Sequence, residues 1–84
     1  MFYTYILRSL GHPEQYYTGF TSDLSARLER HNKGDVPHTA KFVPWEIEAY
    51  FAFKIEETAR AFERYLKSGS GRTFAIRHFR IDAQ

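Results

Sequence analysis

An 84-residue chain without a single cysteine has to hold its fold together by packing alone. No disulfide framework can staple it and no thiolate metal site can organise it. A domain of this size closes one hydrophobic core, with little stability to spare. The chain meets that constraint with rings: eight phenylalanines, six tyrosines and one tryptophan, 18% of the sequence. Large aromatic side chains bury much area per residue, which suits a small core. At 43% hydrophobic, the chain is far too apolar to be disordered. One domain over residues 1–84 is expected, with 81–84 as a flexible tail.

The rings are not spread at random. Phe2 to Arg8 and Tyr16 to Phe20 are short, aromatic and rich in β-favouring residues, and read as strands. Gly11 and Pro13 mark the loop between them, so the two form an antiparallel hairpin. Thr21-Ser22-Asp23 is an N-cap cluster. Leu24, Leu28 and His31 then recur at helical spacing, and Lys33-Gly34 supplies a stop, which predicts a helix from Asp23 to Asn32. Asp35 to Pro44 reads as a loop. Trp45 to Phe53 reads as a third strand, with Trp45, Ile47, Ala49, Phe51 and Phe53 on one face and Glu46 and Glu48 on the other. A second helix is expected from Glu56 to Lys67, with Ile55, Ala59, Phe62 and Leu66 as its apolar stripe. Gly69-Ser70-Gly71 breaks it, and Thr73 to Phe79 forms a third helix. The order β-β-α-β-α-α describes an α/β fold: a small three-stranded antiparallel sheet flanked by helices. No repeat, low-complexity tract or second domain interrupts it.

Some residues are not explained by propensity. Arg27 and His31 lie four apart beside the buried face of the first helix, at a boundary between core and cleft. An arginine there can equally lay its stem over the core and send its head to water. Glu63 sits about 70° from the centre of the second helix's apolar stripe. A carboxylate at such an edge must be hydrogen-bonded, paired or bound to metal; Arg60 and Arg64 are the obvious pairing partners. Tyr3, Tyr5 and Leu7 share one face of the first strand, and Tyr17 and Gly19 share one face of the second. A strand glycine often marks the close approach of another group.

Charge adds little by itself. A net charge of +2 permits an anionic partner without requiring one. Arg64, Lys67, Arg72, Arg77 and Arg80 crowd the last third, as a solvated basic surface also would. No apolar run is long enough to span a bilayer. Met1-Phe2-Tyr3-Thr4-Tyr5 lacks the basic start and apolar stretch of a signal peptide, so a cytoplasmic location is expected.

Taken in order, these residues resemble the GIY-YIG nuclease superfamily, in particular its small single-domain bacterial type. The first half-motif stands here as Tyr3-Thr4-Tyr5 and the second as Tyr17-Thr18-Gly19. Asp23 to Asn32 looks like the family's arginine helix, with a histidine four residues after Arg27. Lys41 to Trp45 resembles a basic segment ending in Pro-Trp. Phe62 to Gly69 resembles the metal-binding glutamate helix and its basic stop. The glycine and isoleucine of the first half-motif are Tyr3 and Thr4 here, and the isoleucine of the second is Thr18. No position matches the late asparagine of some members.

The resemblance implies a DNA endonuclease using Mg²⁺ or Mn²⁺, with no nucleotide cofactor. It assigns Tyr5, Tyr17, Arg27, His31 and Glu63 to catalysis. Tyr5 or Tyr17 would help deprotonate the attacking water, and Arg27 would stabilise the phosphate. Glu63 would hold the metal, while His31 would orient a tyrosine or share in proton transfer. A free tyrosine is a poor base at neutral pH, so a cation would have to lower its pKa. Lys41, Lys67 and Arg72 are expected to contact substrate phosphates. Few residues suit base reading, so DNA shape or single strands are expected to be recognised rather than a long sequence. Two other readings stay open: a nucleic-acid-binding module of this fold that does not cut, and a structural domain whose tyrosines and Glu63 only stabilise the core.

Overall fold

The structure, a computed structural model, describes residues 1–79; the tail expected at 81–84 lies outside them. The strands are β1 (Phe2–Ser9), β2 (Tyr16–Thr21) and β3 (Trp45–Phe53), and the helices are α1 (Leu24–Asn32), α2 (Glu56–Leu66) and α3 (Gly69–Phe79). The order β-β-α-β-α-α is the one expected. The sheet runs β2-β1-β3, with both neighbours antiparallel to the central β1. Among the described residues no helix is long and apolar enough to cross a membrane.

Alternate strand residues face opposite sides, so β1 divides its contacts between two helical layers. Tyr5 and Leu7 are buried with Trp45, and Tyr17, Leu24, Leu28, Phe42 and Ile47 pack around them. On the other face the Thr4 hydroxyl donates to the Ala59 carbonyl of α2 at 2.6 Å. Thr4 occupies the position of an isoleucine in the motif, and its hydroxyl is satisfied by that helix carbonyl. The rest of this second face is aromatic. Phe62 meets Phe51 at 4.8 Å and Phe53 at 5.7 Å between ring centroids, and Phe79 meets Phe51 at 5.4 Å. These edge-to-face contacts favour aromatic pairs beyond simple burial.

Three expectations are corrected. β3 does not present one apolar face throughout. Ile6 pairs with Ala49 but Leu7 pairs with Ile47, so Glu48 is an extra residue in the ladder. This bulge switches the alternation. Trp45 and Ile47 join the Tyr5 layer, while Phe51 and Phe53 join the Phe62 layer. Second, the loop at 35–44 contains one 3₁₀ turn, Ala40–Phe42. Third, Gly69-Ser70-Gly71 does not separate α2 from α3; it is the first turn of α3. Ser68 donates to the Tyr65 carbonyl at 2.6 Å and accepts from the Gly71 amide at 3.2 Å, closing one helix and capping the next. Gly71 is buried so close to α2 that a Cβ would overlap the Tyr65 carbonyl oxygen. The glycine is there for close packing, which a reading based on helix propensity takes as a break.

α1 begins as expected. The Asp23 carboxylate accepts from the Ala26 amide at 3.1 Å, and Gly34, with φ of 78°, turns the chain out of the helix. Asn32, at the last position, donates to the Trp45 carbonyl at 3.0 Å and accepts from its amide at 2.6 Å. The end of α1 is thereby tied to the start of β3.

Candidate active site

Tyr5 lies opposite Gly19 in the β1–β2 ladder. The absent side chain leaves room for the Tyr5 ring: a Cβ on Gly19 would overlap the Tyr5 hydroxyl. The group that closely approaches the strand glycine is therefore the phenol of the neighbouring strand. The Tyr5 hydroxyl lies 2.8 Å from Nε2 of His31, and Nδ1 of His31 lies 2.8 Å from Oγ1 of Thr39. The Thr39 hydroxyl also reaches the Val36 carbonyl at 3.3 Å. It has one proton to give. When that proton goes to the carbonyl, Oγ1 accepts from Nδ1–H, Nε2 is an acceptor, and the Tyr5 hydroxyl donates to it.

The electrostatics agree with that direction. His31 has no exposed surface. Burial first, then Arg27 and Arg30, lower its pKa from the ordinary 6.5 to about 4, so the ring is neutral at pH 7. The Tyr5 phenol moves the other way, well above its ordinary value. Burial is the main cause, Tyr17 adds to it, Arg27 opposes it and Glu63 adds again. The sequence asks for a cation that lowers a tyrosine pKa. Arg27 acts on Tyr5 in that sense and is outweighed by desolvation. Tyr5 is thus protonated at neutral pH.

In front of Tyr5 opens a cleft of about 360 Å³, whose walls include Tyr5, Tyr17, Gly19, Arg27, Arg60 and Glu63. β1 and β2 supply the tyrosines, α1 supplies Arg27 and α2 supplies Glu63. Arg27 forms no ion pair with a carboxylate among the described residues. Glu63 is the one acid among the described lining residues. Its side chain is 20% exposed and accepts from Lys67 Nζ at 2.8 Å. Neither Arg60 nor Arg64 takes that place. Arg60 is held by Glu56 at 2.8 Å and lies 4.1 Å over the Phe20 ring. Among the described residues no cluster of three or more His, Cys, Asp or Glu forms a closed metal cage. One hard carboxylate does suit Mg²⁺, which keeps several waters and often takes one or two protein carboxylates.

The expected residues separate into four groups. Tyr5, Tyr17, Arg27 and Glu63 share the cleft. His31 stands behind the cleft wall in the core, where it meets the Tyr5 hydroxyl and packs edge-on against the Tyr17 ring at 5.0 Å between centroids. Lys67 and Arg72 line a second cleft. Lys41 is exposed on the 3₁₀ turn and lines neither. Two participants are not among the expected residues. Arg60 lies three residues before Glu63, a spacing that puts both on one side of α2 and would have flagged it. Thr39 comes from an irregular loop and carries no such signal.

The GIY-YIG catalytic domain model matches residues 1–75. The chain belongs to the GIY-YIG family. This is a family of nucleases that act on DNA. Tyr5 and Tyr17, one from each half-motif of this GIY-YIG domain, line the cleft. A similar solved structure is the solution structure of the UPF0213 protein BH0048 from Bacillus halodurans. It is 29% identical, with a TM-score of 0.52, and the match covers 90% of this chain and 83% of that one. Comparison with curated proteins gives no match.

Proposed function

We propose that this GIY-YIG domain is an endonuclease that hydrolyses DNA phosphodiester bonds with Mg²⁺ or Mn²⁺, selecting DNA structure or single strands rather than a long sequence. The observation that carries the reading is the cleft itself. It sets an arginine with no carboxylate partner among the described residues and a single carboxylate against two tyrosines. The planar fork of Arg27 matches two phosphate oxygens and neutralises charge that grows in the transition state. Glu63, released from Lys67, would hold the divalent ion, which when bound supplies stabilisation of the departing 3′ oxygen.

Tyr5 or Tyr17 receives the proton of the attacking water. For Tyr5 the route is a relay. Its oxygen accepts a proton from water while its own passes to Nε2 of His31, 2.8 Å away. The relay replaces a buried phenolate by a proton on His31, whose charge burial also opposes. A phosphate beside Arg27 also offsets the positive charge that helps hold the His31 pKa down, so His31 becomes a better acceptor when substrate is present.

The test is cleavage of single-stranded, duplex and branched DNA, and of RNA, with and without Mg²⁺ or Mn²⁺. Arg27→Ala and Glu63→Ala should each reduce the rate by about 10²-fold or more, the scale of losing one oxyanion-stabilising group. Glu63→Ala should lower the melting temperature by no more than roughly 8 °C, because a partly exposed ion pair contributes only about 0–1 kcal/mol. Cleavage that survives both substitutions, or that proceeds without metal, sinks the mechanism. DNA binding without cleavage would identify a silent module of the same fold.

A further inference from the structure

The second cleft, about 340 Å³, opens on the same sheet edge, and Tyr17 is a wall of both. The two are joined again on the helix side, where Lys67 of the second cleft holds Glu63 of the first at 2.8 Å. Lys67, which caps the end of α2, follows Glu63 by four residues, about 6 Å along the axis. A strand with one phosphate at Arg27 that passes Tyr17 along β2 enters the second cleft.

The lining of this cleft is not that of a simple phosphate track. Lys67 and Arg72 supply cations from the helix side. Tyr16, Tyr17 and Leu66 supply ring and apolar surface, and Gln15 supplies a side-chain amide. A duplex offers a passing protein its phosphates, which need only the cations. Rings beside an amide suit a base that has left its stack, because they take its flat face and its edge. Glu14, the one acid among the described lining residues, comes from the hairpin side. It repels phosphate there and directs the backbone toward Lys67 and Arg72.

We infer that the second cleft is a subsite for one unpaired nucleotide of the strand being cut, with its phosphate toward Lys67 and Arg72 and its base toward Gln15 and Tyr16. Tyr17 divides it from the reacting phosphate. The inference rests on the nuclease reading and narrows its substrate to DNA that is single-stranded beside the scissile bond.

The experiment uses Glu63→Ala protein without added divalent metal, conditions under which the proposed function expects the DNA to stay intact. Fluorescence anisotropy compares a labelled single-stranded oligonucleotide with a hairpin duplex of the same sequence. The single strand should bind about tenfold more tightly or better, the scale of one base stacked on an aromatic ring. Adding Arg72→Ala or Gln15→Ala should remove most of that preference while circular dichroism shows a folded chain. Equal affinity for the two DNAs, a preference that survives both substitutions, or no binding at all overturns the subsite. Metal-dependent cleavage by the unaltered protein is scored separately. Cleavage without the preference refutes the subsite alone. The preference without cleavage refutes the catalytic reading alone.

Discussion

Acidification should destabilise this protein through one residue. His31 is buried and neutral, with a pKa lowered from 6.5 to about 4. In the unfolded chain it returns to the ordinary value. As pH falls below 6.5, the unfolded state takes up a proton that the folded state refuses, so stability is lost. The loss tapers as the pH passes through 4, and well below 4 both states are protonated and the slope vanishes. Between pH 7 and pH 5 the difference amounts to about 2 kcal/mol, and over the whole window to about 3 kcal/mol. For a domain of this size, 2 kcal/mol lowers the melting temperature by roughly 8–16 °C. Thermal unfolding followed by circular dichroism from pH 4.5 to 7.5 measures it. His31→Gln, whose amide cannot titrate, is the control. That variant starts less stable, because the Tyr5 hydroxyl and Thr39 lose a fitted partner, but its pH dependence should be about 2 kcal/mol shallower. His12, His38 and His78 are exposed and present in both proteins, so the difference isolates His31. Parallel curves for the two proteins, or a nuclear magnetic resonance titration of His31 near 6.5, would refute the reasoning.

Gly19→Ala should lower stability by about 1–3 kcal/mol through overpacking, because the new methyl meets the buried Tyr5 ring. In a double-mutant cycle with Tyr5→Phe the costs should fall short of additive, since one change removes the oxygen that the other strikes; strict additivity in urea unfolding would count against the contact. Gly71→Ala should cost stability of similar size, against the usual gain of replacing a helical glycine, since its Cβ strikes the α2 backbone. A higher melting temperature for that variant would show that α3 can move away from α2.

What the sequence made legible follows from the range over which each signal acts. Arg27 and Glu63 are readable because a helix fixes the direction of every side chain relative to its own apolar stripe. Asp23 is readable as a cap because its partner, the Ala26 amide, is three residues away. The same rule sets His31 beside the cleft, yet it faces inward. Its neighbours are Tyr5, 26 residues earlier, and Thr39, eight residues later in an irregular loop. No periodicity runs through such a loop, so the hydrogen bond that fixes the ring is invisible until the chain is folded. The Tyr5 pKa has the same origin. Its sign depends on whether burial or Arg27 dominates, and burial is a property of the assembled sheet.

β3 shows the remaining gap from the opposite side, because there the local pattern is strong and still misleads. Trp45, Ile47, Ala49, Phe51 and Phe53 alternate without a break, which is the signature of one buried face. A strand on the edge of a sheet with helices on both sides has two faces to supply, and the Glu48 bulge lets one strand serve both. Its first half closes the core around Tyr5, where Trp45 Nε1 donates to the Thr39 carbonyl at 2.9 Å and helps hold the loop that contacts His31. Its second half carries Phe51 and Phe53 to Phe62, on the turn of α2 that presents Glu63. The bulge thus couples the two sides of the cleft through one strand. Removing it would leave Trp45 and Phe51 on a common face and deprive either the His31 loop or the Glu63 helix of its support.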